Sequence, residues 1–373
     1  MKFVAPAQAN PIDQGKVIGH EHDRIDGRAK VTGTAQYAYE RNDLAPDAAY
    51  GVILGSTIAT GKISRLDTRK AESAPGVLAV VTYQNAGKLN KVSSHASKML
   101  GGPDIEHYDQ AVALVVAETF EQACYAAKLV EVEYRAGQGK YDLAAEKGAA
   151  TAPKSDSATV RLGDFETAFA AAPVQVDSTF TTPPHSHMMM EPHATIAAWH
   201  GDKLVLWTSN QMIGWAVRDA SQILGLRPDQ VHISSPFIGG GFGGKLWVRS
   251  DAILAAVGAR LVKRPVKVAL ARAQVPNNTT HRPATIQRVR LGASADGKLV
   301  AIGHENWSGN LKRFRPENSG AQTRLLYAGA NRLVTHRLAD LNLPEGSALR
   351  APGEAVGHLS LEVTLDELAE KLQ

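Results

Sequence analysis

One cysteine, Cys124, is all the thiol chemistry that this chain of 373 residues carries. That excludes an internal disulfide, a CxxC zinc site and an iron–sulfur cluster built from the chain's own thiols. Any redox relay must then lie on a partner. Long apolar runs are absent too: no stretch approaches the roughly 20 apolar residues that span a bilayer. The opening Met1-Lys2-Phe3-Val4-Ala5-Pro6 lacks the apolar core of an export signal. The expectation is a chain with no signal peptide and no membrane span of its own. Blocks of like charge are missing as well. The 41 basic and 37 acidic residues are dispersed, leaving a net charge of +4. A nucleic-acid or membrane-surface role gains nothing from that distribution, despite a pI near 9.0. No internal repeat is visible. What remains, 44% hydrophobic and 21% charged residues, is the composition of a soluble globular enzyme with room for two or three domains.

The local patterns divide the chain into four parts. Residues 1–23, rich in Pro, Ala, Gln and Asn, read as an extended arm. Over 24–140, strand signals at Val77–Thr82, Ala111–Val116 and Val132–Tyr134 bracket a helix from Phe120 to Leu129, with Ala123, Ala126, Ala127 and Val130 on one face. This order indicates a compact domain of the α+β class. Small and polar residues over 141–156 read as a linker. A second α/β region follows over 157–373. Asp164 is placed to cap a short helix through Phe169, ahead of a strand at Val174–Phe180. Leu204–Trp207 is strand-like, Gly214–Leu224 helical with Gly225 at its C′ position, and Val231–Ile238 a strand. A helix over Asp251–Val262 leads to a strand at Val266–Leu270. A hairpin of Ile286–Leu291 and Leu299–Trp307 turns at Asp296-Gly297.

The strand at Val231–Ile238 delivers Gly239-Gly240-Gly241-Phe242-Gly243-Gly244-Lys245. Gly239, Gly241 and Gly244 satisfy GxGxxG, the dinucleotide fingerprint, while Gly239, Gly244 and Lys245 satisfy most of the GxxxxGK phosphate loop. Both rest on backbone freed of Cβ atoms to press N–H groups against an anion. A hydrolase loop needs Ser or Thr after the lysine to hold Mg²⁺, and the residue there is Leu246. A nicotinamide-binding loop needs a helix at the third glycine and an acid about 20 residues on. Here the helix waits until about Asp251, and the residues around Arg264 and Lys267 include no acid. A bare tight turn is the competing structural explanation.

Two further segments bear on the choice. Trp207-Thr208-Ser209-Asn210-Gln211 ends a strand before a helix, where an open α/β sheet presents polar groups to a ligand. Leu349-Arg350-Ala351-Pro352-Gly353-Glu354 fixes an arginine in a Pro/Gly turn, which suits an anion or a polar substrate. His185, His187 and His193 surround Met188-Met189-Met190. Strand-like spacing sets them on differing faces, so packing is expected of them rather than copper or zinc binding.

Taken together, the chain resembles the molybdenum-binding subunit of the xanthine dehydrogenase and aldehyde oxidase family, and is particularly similar to the large subunits of bacterial periplasmic aldehyde oxidoreductases. The carriers are Asp26–Tyr37, Ala74–Val77, Met190–His193, Ser209–Gln211, Gly239–Lys245, His281–Pro283 and Arg350–Glu354, in family order across nearly the whole chain. The resemblance implies a hammerhead α/β domain over 24–140 and the first part of a molybdopterin-binding domain over 157–373. It implies cofactor contacts from Gln211, Gly240, Gly241, Phe242 and Gly243. Of these, Gln211 and Phe242, together with Arg350, would meet oxygen ligands of the metal, and Arg350 would stand on its substrate side. The implied cofactor is molybdenum-molybdopterin in the cytosine dinucleotide form, with iron–sulfur and FAD groups on partner subunits. The implied reaction turns an aldehyde and water into a carboxylic acid.

Leu246 stands where purine oxidisers carry a glutamate, and Pro352 where they carry a stacking phenylalanine. An aldehyde pocket is therefore expected in place of a purine one. Family subunits are about twice as long, so the chain resembles only their N-terminal half, and the glutamate that serves them as general base is expected outside it. The alternatives are a split or truncated product acting as an assembly module, and, more weakly, a Rossmann-type nicotinamide enzyme. Periplasmic location would require co-export with a signal-bearing partner; the other expectation is the cytoplasm.

Overall fold

Thr119 ends an extended segment and its hydroxyl accepts a hydrogen bond from the Gln122 backbone N–H, while the Gln122 side chain accepts from the Thr119 N–H. This reciprocal capping box starts helix α1, Phe120–Ala127, whose Ala123, Ala126 and Ala127 are buried. The computed structural model describes residues 10, 14–90, 99–153 and 159–373. The expected arm at 1–23 and the end of the expected linker at 141–156 lie partly outside the described residues. Two compact units are distinguished, Met1–Gln36 and Tyr37–Gln373. The first carries a five-residue helix, Gly27–Val31, preceded by Asp26, which bridges to Arg24 and Lys30.

The second unit is built on a seven-stranded sheet. In chain order its strands are β1 (Ala49–Gly55), β3 (Val77–Thr82), β4 (Ala111–Ala117), β8 (Ala194–His200), β9 (Lys203–Thr208), β10 (Val231–Ser234) and β11 (Val266–Ala269). Their spatial order is β10-β9-β8-β11-β1-β4-β3. β1 runs parallel to β11, with Ala49 opposite Val266 and Gly51 opposite Val268. The strands before residue 140 and those after 190 thus share one sheet. Strand β2 (Gly61–Asp67) pairs with β5 (Glu131–Ala136) in a small separate sheet.

A five-stranded sheet, in the order β6-β14-β13-β12-β7, is formed by β6 (Val160–Leu162), β7 (Val174–Thr182), β12 (Thr285–Ala293), β13 (Leu299–Asn310) and β14 (Asn331–Asp340). The β12–β13 hairpin turns as Asp296-Gly297 requires, with Gly297 at φ 80° donating to Ser294 O at 2.9 Å. Helix α2 (Phe165–Ala171) is capped by Asp164, which accepts from Thr167 N at 3.2 Å. The long helix α5 (Glu354–Leu372) lays Leu361 and Leu368 against Val176, Val289 and Leu291.

Two helices set the site. α3 (Ile213–Leu224) ends at Gly225 with φ 68°, the left-handed stop expected there. α4 (Ser250–Val262) is buried from Ser250 to Ala259 and packs on β8 and β11. A helix apolar on nearly every side belongs inside a core.

Two expectations are revised. The strand predicted to reach Ile238 stops at Ser234. Pro236 has no N–H for the ladder, and the Ser235 hydroxyl both accepts from Asn210 N at 2.9 Å and donates to Asn210 O at 3.1 Å. The chain leaves the sheet there and becomes the glycine loop. Within the expected linker, Asp142 caps a short helix, Leu143–Glu146, that buries Leu143 beside Ile286 and Trp307.

Candidate functional site

β9 and β10 run parallel, so both release their chains at the same end of the sheet, where β8 enters from Glu191-Pro192-His193. Three segments therefore converge: 191–193, 209–211 and 239–245. This is the carboxyl-end crevice at which open α/β sheets bind ligands.

Glu191 is the node of the convergence. Its Oε2 accepts hydrogen bonds from Gly239 N at 2.7 Å, Ser209 Oγ at 2.6 Å and Lys245 Nζ at 2.9 Å. Its own backbone N–H donates to Gly239 O at 3.0 Å, and its carbonyl accepts a second bond from Lys245 Nζ at 2.9 Å. Lys245 has 0% exposure. Burial draws its ammonium below the ordinary lysine value, and the hydrogen bond to Glu191 opposes that shift. The lysine of the GxxxxGK pattern thus points inward to a carboxylate. It clamps the two ends of the loop together, and a phosphate-loop reading loses its cation.

Gln211 fixes the other side of the loop. Its carboxamide oxygen accepts from Gly243 N at 3.0 Å and Lys245 N at 3.2 Å, and its backbone N–H donates to Lys245 O at 2.8 Å. Two N–H donors can meet only the oxygen of the amide, which settles its orientation. The Gln211 NH₂ group makes no hydrogen bond among the described residues. Gly241 passes so close that a Cβ there would lie 2.4 Å from Gln211 Cδ. Only glycine permits this approach.

Within the loop, Gly239 N is taken by Glu191, Gly243 N by Gln211 and Gly244 N by Gly241 O. The N–H groups of Gly240, Gly241 and Phe242 have no partner among the described residues. Gly240 at φ 99°, Phe242 at φ 52° and Gly243 at φ 98° give this stretch its left-handed course. Three successive unpaired N–H groups form an anion-accepting concavity.

The arginine turn closes against the same loop. Arg350 N donates to Phe242 O at 2.9 Å. His187 Nε2 donates to Ala348 O at 2.7 Å, and the Arg282 guanidinium donates to Leu349 O at 2.7 Å and also to Arg350 O. The Arg350 side chain is exposed and has no carboxylate partner among the described residues. Glu354, four residues on, accepts from Gln322 Nε2 at 3.3 Å rather than from Arg350. Gln211, Gly240, Gly241, Phe242, Gly243 and Arg350 are thus brought together in one place.

Of the three histidines, His187 and His193 are buried and His185 is exposed. His193 is buried and donates to Gly244 O at 3.2 Å, and burial drives it well below the usual histidine value. His187 is buried, and burial lowers it as well. His185 is exposed on a two-residue strand. Among the described residues no group of His, Cys, Asp and Glu could hold a metal ion.

The sequence placed Glu191 and Arg282 within family segments but gave neither of them, nor Arg249, a part in the frame. Arg249 is buried, with Nε donating to Gly244 O at 3.1 Å, and Glu345 lies 3.8 Å from its guanidinium. The only local signal was a glutamate in a Met-Glu-Pro-His turn and a lysine closing a glycine run; nothing local linked the two.

A model of the molybdopterin cofactor-binding domain matches residues 149–373, and one of the aldehyde oxidase and xanthine dehydrogenase a/b hammerhead domain matches residues 32–138. The chain belongs to the aldehyde oxidase and xanthine dehydrogenase family. It is 59% identical to the aldehyde oxidoreductase molybdenum-binding subunit PaoC of Escherichia coli K12, over 100% of this chain and 51% of that protein. It thus spans about half the length of that relative. A second family member, the nicotinate dehydrogenase large molybdopterin subunit of Eubacterium barkeri, is 26% identical over 96% of this chain and 87% of that subunit. The aldehyde oxidoreductase of Desulfovibrio gigas superposes with a TM-score of 0.80 at 24% identity, covering 94% of this chain and 41% of that one. That likeness establishes the shared fold.

Proposed function

We propose that the chain is the molybdenum-cofactor-binding part of an aldehyde-oxidising hydroxylase, converting RCHO and H₂O into RCOOH with release of two protons and two electrons. The observation that carries this reading is the row of free N–H groups at Gly240, Gly241 and Phe242, set beside a Gln211 amide whose NH₂ is kept available. Together these are four preorganised donor groups, and among the described residues no cluster could ligate a metal directly. Such an arrangement suits a metal that brings its own sulfur and oxygen ligands and needs hydrogen-bond donors from the protein. When bound, the cofactor supplies the two-electron oxidation and the oxygen-transfer chemistry.

The residues around it bind and orient. Gln211 Nε2 would donate to an oxygen ligand, and the loop N–H groups would hold the anionic edge of the cofactor. Arg350, held by its backbone to Phe242, would supply a cation on the substrate side. Leu246 and Pro352 keep purine-gripping groups out, which favours an aldehyde. The cytosine dinucleotide form of the cofactor belongs to this reading, as do partner chains bearing iron–sulfur and FAD groups, because a single cysteine gives the chain no cluster of its own. Among the described residues no helix is long and apolar enough to cross a membrane; periplasmic residence would follow from co-export with a signal-bearing partner.

The test is Gln211→Ala in the holoenzyme. Loss of two loop contacts and one cofactor contact should lower molybdenum content per chain, or lower aldehyde turnover at equal content by about tenfold or more, the effect of one well-placed charge-assisted hydrogen bond. Unchanged content and turnover would overturn the assignment.

A further inference from the structure

Beside the loop lies an open cleft of about 250 Å³ whose walls include Trp247, Pro283, Pro316, Pro352, Ala348, Arg315 and Glu317. It adjoins the proposed reaction site through two residues. Ala348 approaches Gly243 so closely that a Cβ on that glycine would lie 2.6 Å from Ala348 O, and Pro352 follows Arg350 in the same turn. Trp247 stacks on Trp215 with ring centroids 5.4 Å apart, which holds its indole in place. One flat aromatic wall and three proline rings make a rigid, mostly apolar slot. A cavity of about 150 Å³ already takes a benzene ring; this one takes a single ring with a substituent.

Arg315 is one of its lining residues. It also lines a neighbouring cavity of about 430 Å³, together with Gly346 and Ser347, which border both. Its backbone is fixed, because its carbonyl accepts from Asn310 Nδ2 at 3.0 Å. Its guanidinium is exposed and has no carboxylate partner among the described residues. Two acids share its cavities but face elsewhere: Glu317 accepts from Gly353 N and is raised by burial, which favours its neutral form, and Glu345 faces Arg249, while Glu106 pairs with Arg313 at 2.7 Å. A guanidinium without a carboxylate partner, lining a slot with room for a ring, can meet a carboxylate with two parallel N–H bonds.

We propose that Arg315 reads an anionic substituent, so that the site takes aromatic aldehydes bearing a carboxylate. This rests on the aldehyde-oxidising reading above and names its substrate class. Arg315 is a binding residue here and takes no part in the chemistry.

The experiment compares 4-carboxybenzaldehyde, its methyl ester and unsubstituted benzaldehyde as substrates of the holoenzyme, in wild type, Arg315→Met and Arg315→Lys. Wild type should show a lower KM for the acid than for the ester. Arg315→Met should raise the KM of the acid by about tenfold or more, the scale of one charge-assisted interaction, while the KM of the ester and of benzaldehyde, kcat and molybdenum content stay as they were. Arg315→Lys should recover part of the loss for the acid alone. Equal KM shifts for acid and ester, or no shift for either, would overturn the role of Arg315 and leave the aldehyde reading standing. Failure of molybdenum-loaded wild type to oxidise any of the three would overturn the aldehyde reading itself.

Discussion

At the scale of single residues, Lys245 is the position on which most depends. Its ammonium is wholly enclosed and makes two 2.9 Å bonds to Glu191, one to the carbonyl and one to Oε2. Replacing it by methionine keeps the volume but leaves a largely buried carboxylate without its cation. Breaking such a pair costs about 3–5 kcal/mol. The lower end applies, because Gly239 N and Ser209 Oγ still donate to Glu191. Lys245→Met should therefore lower unfolding stability by about 3 kcal/mol, read as the shift in urea midpoint at constant slope. An unchanged midpoint would show that the clamp contributes nothing. Gln211 and Arg350 were legible in the sequence because polar residues at strand ends and in Pro/Gly turns have local signatures. Glu191 was not, since its partners stand 18, 48 and 54 residues away in the chain.

At the scale of elements, the sequence reports well wherever one residue settles a boundary by itself. Asp164 caps α2, Gly225 stops α3 with φ 68°, and Asp296-Gly297 turns the β12–β13 hairpin, each where its side chain or its freedom at positive φ requires. β3 occupies Val77–Thr82, as its run of β-branched residues after Pro75-Gly76 indicates. The extent of β10 was harder to read. Val231–Ile238 is apolar enough for a strand throughout, yet Pro236 and the Ser235–Asn210 exchange end it at Ser234. Those last four residues are what turns the chain away from the sheet and aims the glycines across the crevice. Pairing is the feature least visible locally. The parallel β1–β11 contact joins residues more than 200 positions apart, and nothing in the pattern of either strand names the other.

At the scale of the whole molecule, buried histidines set the response to acid. Burial holds His304 down to about 3, His107 to about 4 and His281 to about 4. The unfolded chain binds these protons near the ordinary histidine value of about 6.5, so the folded state loses ground as pH falls below it. The three contributions are intact above about pH 6.5 and disappear progressively down to the folded values near 4 and 3. Asp109 acts in the opposite sense. Burial raises it to about 6, so its contribution is present at low pH and is lost as pH rises through that value. Burial also lowers His187 and His193 and raises Asp219, Asp251 and Glu317, so five histidines stand against four carboxylates and the net is a gain with pH. The melting temperature should climb between pH 4.5 and 6.5 and level off above; a flat or falling profile over that interval would contradict the burial of these groups.

The glycine loop is held from behind by Glu191 and Lys245 and from the side by Gln211, and the proposal is that its free N–H groups face a molybdenum cofactor. Anomalous diffraction from crystals of the holoenzyme, collected on both sides of the molybdenum K edge, tests it most directly. The predicted result is one strong difference peak facing the N–H groups of Gly240, Gly241 and Phe242, with one ligand atom between the metal and Gln211 Nε2. A peak elsewhere in the molecule, with the loop unoccupied by it, would contradict the account.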